Sequence, residues 1–324
     1  MKPRTIALAS AAALAASVVL LKRILKPPAN RPLLLSLPYS HYVEIGRWSL
    51  QRSGREFREL KMPVGPHMLT SVYRLLFPGG VSSTSSFPGD SEAQSRRKSN
   101  SLVHRLCASM PAVARQLVGV PALVVTDAQT NETSVVPDSW SILESTGLSV
   151  EPSTKRRLDS ALGPAVRRLA YAEVFGSNFA FYRAIQSGGP FFTLWFELNQ
   201  FLFQTHRIMI GLMDLSPEGS ADARRIVAGE FAAVEEVLVA HSFLGEGRGA
   251  AAFGGADLAF SALAGWIVLP PNMHNGAIDP SLLDVEHFKN CPNLLSAREE
   301  LQRDYPRAWA LVVKCYATER CANQ

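Results

Sequence analysis

The chain has 324 residues, 47% of them hydrophobic, and a formal net charge of +5, which suits about two domains of ordinary size with ample material for a core. The modest charge, with no dense basic block interleaved with aromatics, argues against nucleic acid as a partner. Four cysteines without a CxxC argue against a disulfide scaffold and for a reducing compartment, and seven scattered histidines give no reason to expect a metal.

Residues 5–21, TIALASAAALAASVVLL, carry no charge, with Lys2 and Arg4 before them and Lys22, Arg23 and Lys26 after. The run is at the short end of what crosses a bilayer core of about 30 Å. A cleaved signal needs a small-residue site just after the apolar run, where this chain has a basic cluster. The expectation is an uncleaved single-pass anchor over 1–31 that tethers a cytosolic body to a membrane, and a cleaved targeting segment is the alternative. Residues 32–39 then read as a buried strand, 42–53 as an amphipathic helix closed by Gly54, and 55–61 as a half-exposed strand. Residues 79–100 are a Gly-, Ser- and Pro-rich insertion ending in Arg96-Arg97-Lys98-Ser99, which reads as a solvated loop or a basophilic kinase site. Residues 101–117 fit a helix with Val103, Leu106, Met110 and Leu117 on its apolar side.

The β-branched run Val120–Thr126, the polar turn 127–132 and Thr133–Val136 make a hairpin, and Asp138-Ser139 start a helix through Leu143. The order β-α-β-α-β-β-α, with a proline at the head of the third strand, is that of the thioredoxin-like fold. From about residue 149 the pattern is helical. Pro190 opens an aromatic-rich helix, and Ser220 is placed to cap another, with Val227, Phe231, Val234 and Leu238 on one face. The segment FGGADLAFSALAGWIVL is apolar except for Asp257 and too short to span a membrane, so it reads as a helix buried in a bundle. Asp257, three residues after Gly254, is placed to accept from the amides of its first turn.

In this order the motifs resemble the glutathione transferase family, over most of residues 33–310. PYSHYVEIGRWSL looks like the first strand–helix junction of the Ser-type classes, with Ser40 seven residues before Arg47. GVPALVV looks like the cis-proline segment, PDSWSILE like the acid–serine pair opening the third helix, and FGGADLAFSAL like the helix with the family's capping box. Two positions depart from the pattern: Gly254 replaces the capping Ser or Thr, and His41 replaces the proline that often follows the catalytic serine.

The resemblance implies a thioredoxin-like glutathione-binding domain over 32–148, interrupted by 79–100, and an all-helical domain over 149–324. It implies glutathione as co-substrate and a homodimer as the assembly. A thiol of pKa near 8.5 must become a thiolate to attack an electrophile, and a hydroxyl donor at a helix N-terminus stabilises that anion. Ser40 is the expected donor and Tyr39 the alternative, other classes using tyrosine; a third reading leaves Ser40 only a cap. A cis-Pro121 would turn the Val120 backbone towards the cysteinyl unit of glutathione, and Asp138 and Ser139 would hold its γ-glutamyl end. Tyr171, Phe175, Phe191, Trp195 and Phe203 are candidates for an apolar electrophile pocket, or for core. His41 and Arg47 are expected at the surface, with lining of the site as the alternative. Three functions fit: conjugation of glutathione to an apolar electrophile, a membrane-tethered adaptor or ligand-binding protein without turnover, and lyase, isomerase or peroxidase chemistry on glutathione-linked substrates.

Overall fold

The computed structural model describes residues 26–37, 40–61, 121–176, 215–270, 273 and 291–320. Among the described residues, four short strands form one mixed sheet: β1 (Leu33–Ser36), β2 (Arg58–Lys61), β3 (Ala122–Thr126) and β4 (Thr133–Val136), in the order β2-β1-β3-β4. β1 and β2 run parallel, with Leu33 beside Arg58, whereas β3 is antiparallel to both β1 and β4. A parallel pair needs a crossover, and α1 (His41–Arg52) supplies it; the antiparallel pair needs only the 127–132 turn. The fold of this half is thioredoxin-like. Leu34 and Leu123 on one face of the sheet meet Leu50 of α1 and Ile142 of α2 (Ser139–Ser145), all fully buried.

The rest of the described residues are mostly helical. α3 (Pro152–Arg157) passes through a π-helical turn, Leu158–Leu162, into α4 (Gly163–Gly176). It is followed by α5 (Pro217–Val237), α6 (Gly255–Val268), α7 (Pro292–Asp304) and α8 (Pro306–Lys314), the last ending in a second π-helical turn, Cys315–Glu319. Every residue of α6 is buried, as its sequence, apolar apart from Asp257 and Ser261, predicts. The core around α6 does not stop at the helical half. Ile45 and Trp48 of α1 belong to the same cluster of buried residues as Phe260, Leu263 and Tyr316. α1 therefore presents one face to the sheet and the other to the bundle.

The capping residue of α5 differs from expectation. Ser216 takes the cap, its Oγ accepting from the Gly219 amide at 2.9 Å, and Ser220 lies inside the helix. Pro217 decides this, since the ring suits the first helical position and the missing N–H costs nothing there. The first strand is also shorter than the expected 32–39, as it leaves the sheet after Ser36. The 79–100 insertion, the 101–117 helix, the helix opened by Pro190 and the apolar run 5–21 lie outside the described residues. Among the described residues, no helix is long and apolar enough to cross a membrane.

Candidate functional site

The sheet register brings the expected site residues to one end of the sheet. Leu35 pairs with Ala122 and Leu123 with Val136. The end of β1, the start of β3 and the end of β4 are therefore flush. Ser40, Pro121, Asp138 and Ser139 follow or precede those strand ends by one to four residues, and so converge although they lie almost 100 positions apart in the chain. Tyr39 and Val120 lie outside the described residues.

Ser40 is half-buried and caps α1, its Oγ accepting from the Val43 amide at 3.4 Å. A hydroxyl has one hydrogen and two lone pairs, so this long bond uses one lone pair and leaves the O–H free to donate elsewhere. The free amides at the start of the 12-residue α1 add a partial positive charge at the same place. Asp138 caps α2. One carboxylate oxygen accepts from the Ser141 amide at 2.8 Å and the other from the Ser141 hydroxyl at 3.1 Å. Ser139 is buried beside it, and Pro121 is buried at the head of β3.

His41 and Arg47, expected at the surface, are both buried. The His41 ring stacks at 4.6 Å on Tyr42, and its Nε2 lies 3.1 Å from the carbonyl oxygen of Gly163 at the start of α4. A carbonyl only accepts, so Nε2 carries the proton and donates. Burial, helped by the charge of Arg167, pushes the His41 pKa down to about 3, so the ring is neutral and too weak a base to serve Ser40 at neutral pH. Tyr42 donates to the Asp159 carbonyl at 3.1 Å and fills the space over Gly163, where a Cβ would meet its hydroxyl at 2.1 Å. His41 and Tyr42 thus fasten the start of α1 to the helical half. No local pattern in the sequence announces a partner 122 residues away.

Arg47 is the centre of a buried ion network. Its guanidinium donates to Glu44 at 2.7 Å and by a two-point contact to Glu59 of β2 at 3.1 and 2.6 Å. Glu44 also accepts from Arg320 at 2.8 Å, and Arg320 donates to Gln51 as well. The 320 end of the chain is thereby locked to α1. Glu44 and Arg47, three apart on one helix face, were the only sequence signal of this network.

Of the aromatic pocket candidates, Tyr171 packs against the main core. Phe191, Trp195 and Phe203, and the side chain of Phe175, lie outside the described residues.

Both departures in the motifs now have local reasons. A Cβ on Gly254 would come within 2.4 Å of the Gly245 carbonyl oxygen, so the loop before α6 leaves no room for a capping side chain. Asp257 does the capping alone. Its carboxylate accepts from the Gly254 amide at 2.8 Å and, beyond its own helix, from Leu244 at 2.7 Å and Gly245 at 2.9 Å. In the first junction, the ring of His41 makes a bond to Gly163 that proline could not make.

No protein-family model and no curated protein matches the chain. Among solved structures the likeness is to glutathione transferases. GSTFuA3 of Phanerochaete chrysosporium is 14% identical at a TM-score of 0.47, over 88% of this chain and 98% of that one. A glutathione transferase of Pseudomonas putida, solved with one glutathione disulfide bound per subunit, is 12% identical at 0.40, over 92% and 97%. FzlA of C. crescentus is 14% identical at 0.41, over 90% and 89%. These likenesses are faint, and the fold stands on the strand order and the buried α6.

Proposed function

We propose that the chain is a glutathione transferase-like protein that holds glutathione at the end of the sheet and conjugates it to an apolar electrophile. The observation that supports this is the convergence of Ser40, Pro121, Asp138 and Ser139 set by the sheet register. In this reading the free O–H of Ser40 and the first amides of α1 hydrogen-bond the sulfur as a thiolate. The thiolate attacks the electrophilic carbon, a carbon–sulfur bond forms, and the leaving group departs with its electron pair. Pro121 sets the backbone that pairs with the cysteinyl unit, and Ser139 takes the γ-glutamyl carboxylate. Residues 5–21 tether the protein to a membrane, with the folded body on the cytosolic side and a second copy of the chain as partner.

One observation favours a second reading, a membrane-tethered ligand-binding or adaptor protein without turnover. Both carboxylate oxygens of Asp138 already accept from Ser141 and cap α2, a structural task that needs no ligand. The test is retention on immobilised glutathione, followed by conjugation to 1-chloro-2,4-dinitrobenzene. Retention with turnover supports the transferase, and retention without turnover supports the second reading. No retention defeats the transferase. Carbonate extraction of membranes from the source tests the tether, which fails if the full-length chain is released.

A further inference from the structure

At the opposite end of the sheet from Ser40 there is a cavity of about 480 Å³ whose wall carries Arg31, Arg52, Arg55 and Arg320, with Phe57 and Glu319 between them. It lies at the C-terminal end of α1. Twelve residues at about 1.5 Å each separate it by roughly 18 Å from the Ser40 end, so it is a different place from the proposed glutathione site. Two of the four guanidinium groups are already neutralised. Arg52 pairs with Glu319 at 2.6 Å, and Arg320 with Glu44 at 2.8 Å. Arg31 and Arg55 are exposed and have no acidic partner among the described residues. They stand on the segments just before β1 and just after α1, and each presents a planar fork of donors to the same hollow.

We propose that this cavity binds a phosphate group between Arg31 and Arg55. Two unpaired guanidiniums match a dianion in charge and in their two-point donor geometry. Arg52 and Arg320, already paired, also line the hollow and add less attraction for an anion. Glu56 also lines the cavity and lowers its affinity for anions.

Two sources of phosphate fit. The chain enters the fold at this end, where Lys26 donates to the carbonyl and side chain of Asn131 in the β3–β4 turn and the Pro27 carbonyl accepts from Thr126. Arg31 thus stands ten residues beyond the apolar run 5–21, close enough for the cavity to meet a lipid headgroup. A soluble phosphate ester is the other source. The site does not depend on the glutathione reading.

The test uses full-length protein in uncharged detergent, titrated at low salt with inorganic pyrophosphate by calorimetry. A second arm measures co-sedimentation with phosphatidylcholine vesicles with and without phosphatidic acid. The comparison is between wild type, the double variant Arg31→Ala/Arg55→Ala and Glu56→Gln. All three positions are exposed, so the melting temperature should not move. The expected result is a loss of about tenfold or more in affinity for the double variant and a gain of several-fold for Glu56→Gln. Sensitivity to the double variant in the pyrophosphate arm alone identifies a soluble ester. Sensitivity in the phosphatidic acid arm identifies a headgroup. If the double variant binds both probes as wild type does, or if neither probe binds wild type, the site is refuted.

Discussion

Replacing Asp257 by alanine tests the account of the bundle most directly. The Asp257 side chain is fully buried and accepts three backbone amides at 2.7, 2.9 and 2.8 Å, two of them from the loop at 244–245 and one from the cap residue Gly254. Loss of an ordinary N-cap costs about 1 kcal/mol. Here three buried donors lose their acceptor together, each at about 1–3 kcal/mol. The low end applies, because burial pushes the carboxyl pKa up against the pull of the amides of Leu244, Gly254 and Gly245, and truncation removes that desolvation cost too. The expected loss is about 3 kcal/mol, or roughly 6–12 °C in melting temperature for a fold of this size. Asp257→Asn keeps one acceptor oxygen but turns an NH₂ group towards a donor, so it should fall between wild type and alanine. Urea unfolding followed by tryptophan fluorescence measures all three, and retention on glutathione by the folded fraction should not change. A shift below about 1 kcal/mol for the alanine variant would mean that the carboxylate holds neither the loop nor the helix.

Under the transferase reading, Ser40→Ala should leave glutathione binding nearly intact but raise the bound thiol pKa by about one to two units, worth roughly 1.4–2.7 kcal/mol. Turnover at neutral pH should then fall by about 10- to 100-fold; an ultraviolet thiolate titration reads the shift, and a pKa that moves only in Tyr39→Phe would give the role to tyrosine. His41 titrates near 3 when folded and near 6.5 when unfolded, so the unfolded chain takes the proton first and stability falls as pH drops below 6.5. The neutral donor in His41→Gln escapes this, and its unfolding free energy by urea should gain on wild type by about 2–3 kcal/mol between pH 7.5 and 4.5; parallel pH profiles would refute a buried neutral histidine. Arg320→Ala leaves Glu44 with only Arg47 in a buried setting and should cost about 3 kcal/mol by the same assay. An unchanged midpoint would make the ion network inert.

What could be read in advance was whatever local pattern encodes. The β-branched run at 120–126 and the polar turn after it have no other good use than a hairpin, and β3 and β4 follow. The apolar segment around Leu258–Val268 could only be a buried helix, and its single acid could only be a cap. Local rules erred where a competing local signal was stronger, as with Pro217 against Ser220. They were silent where partners are distant: His41 reads as a polar residue on an exposed turn until Gly163 is placed over it. Arg47 looks like a solvated helix charge until β2 brings Glu59 and the chain end brings Arg320. The same distance effect hid the Arg31–Arg55 cavity, whose two arginines flank β1 and α1 and meet only once the sheet has formed. The Ser40 site was legible as a set of residue types, but their convergence depends on a strand register that no one segment encodes.

The helix with two faces has a consequence for how this protein is made. During synthesis α1 leaves the ribosome early and can settle on the sheet as soon as β3 and α2 follow. Its other face, with Ile45 and Trp48, finds no cover until α6 has emerged, and the Trp48 ring meets Tyr316, at 4.8 Å, only once residue 316 has emerged as well. Glu44 waits for Arg320 across 276 positions. Contacts of such separation form late and leave apolar surface open meanwhile, which is when the growing chain is most prone to aggregate. Truncation just before Tyr316 would leave α6 in place, yet would strip Glu44 of Arg320 and the Trp48 ring of Tyr316.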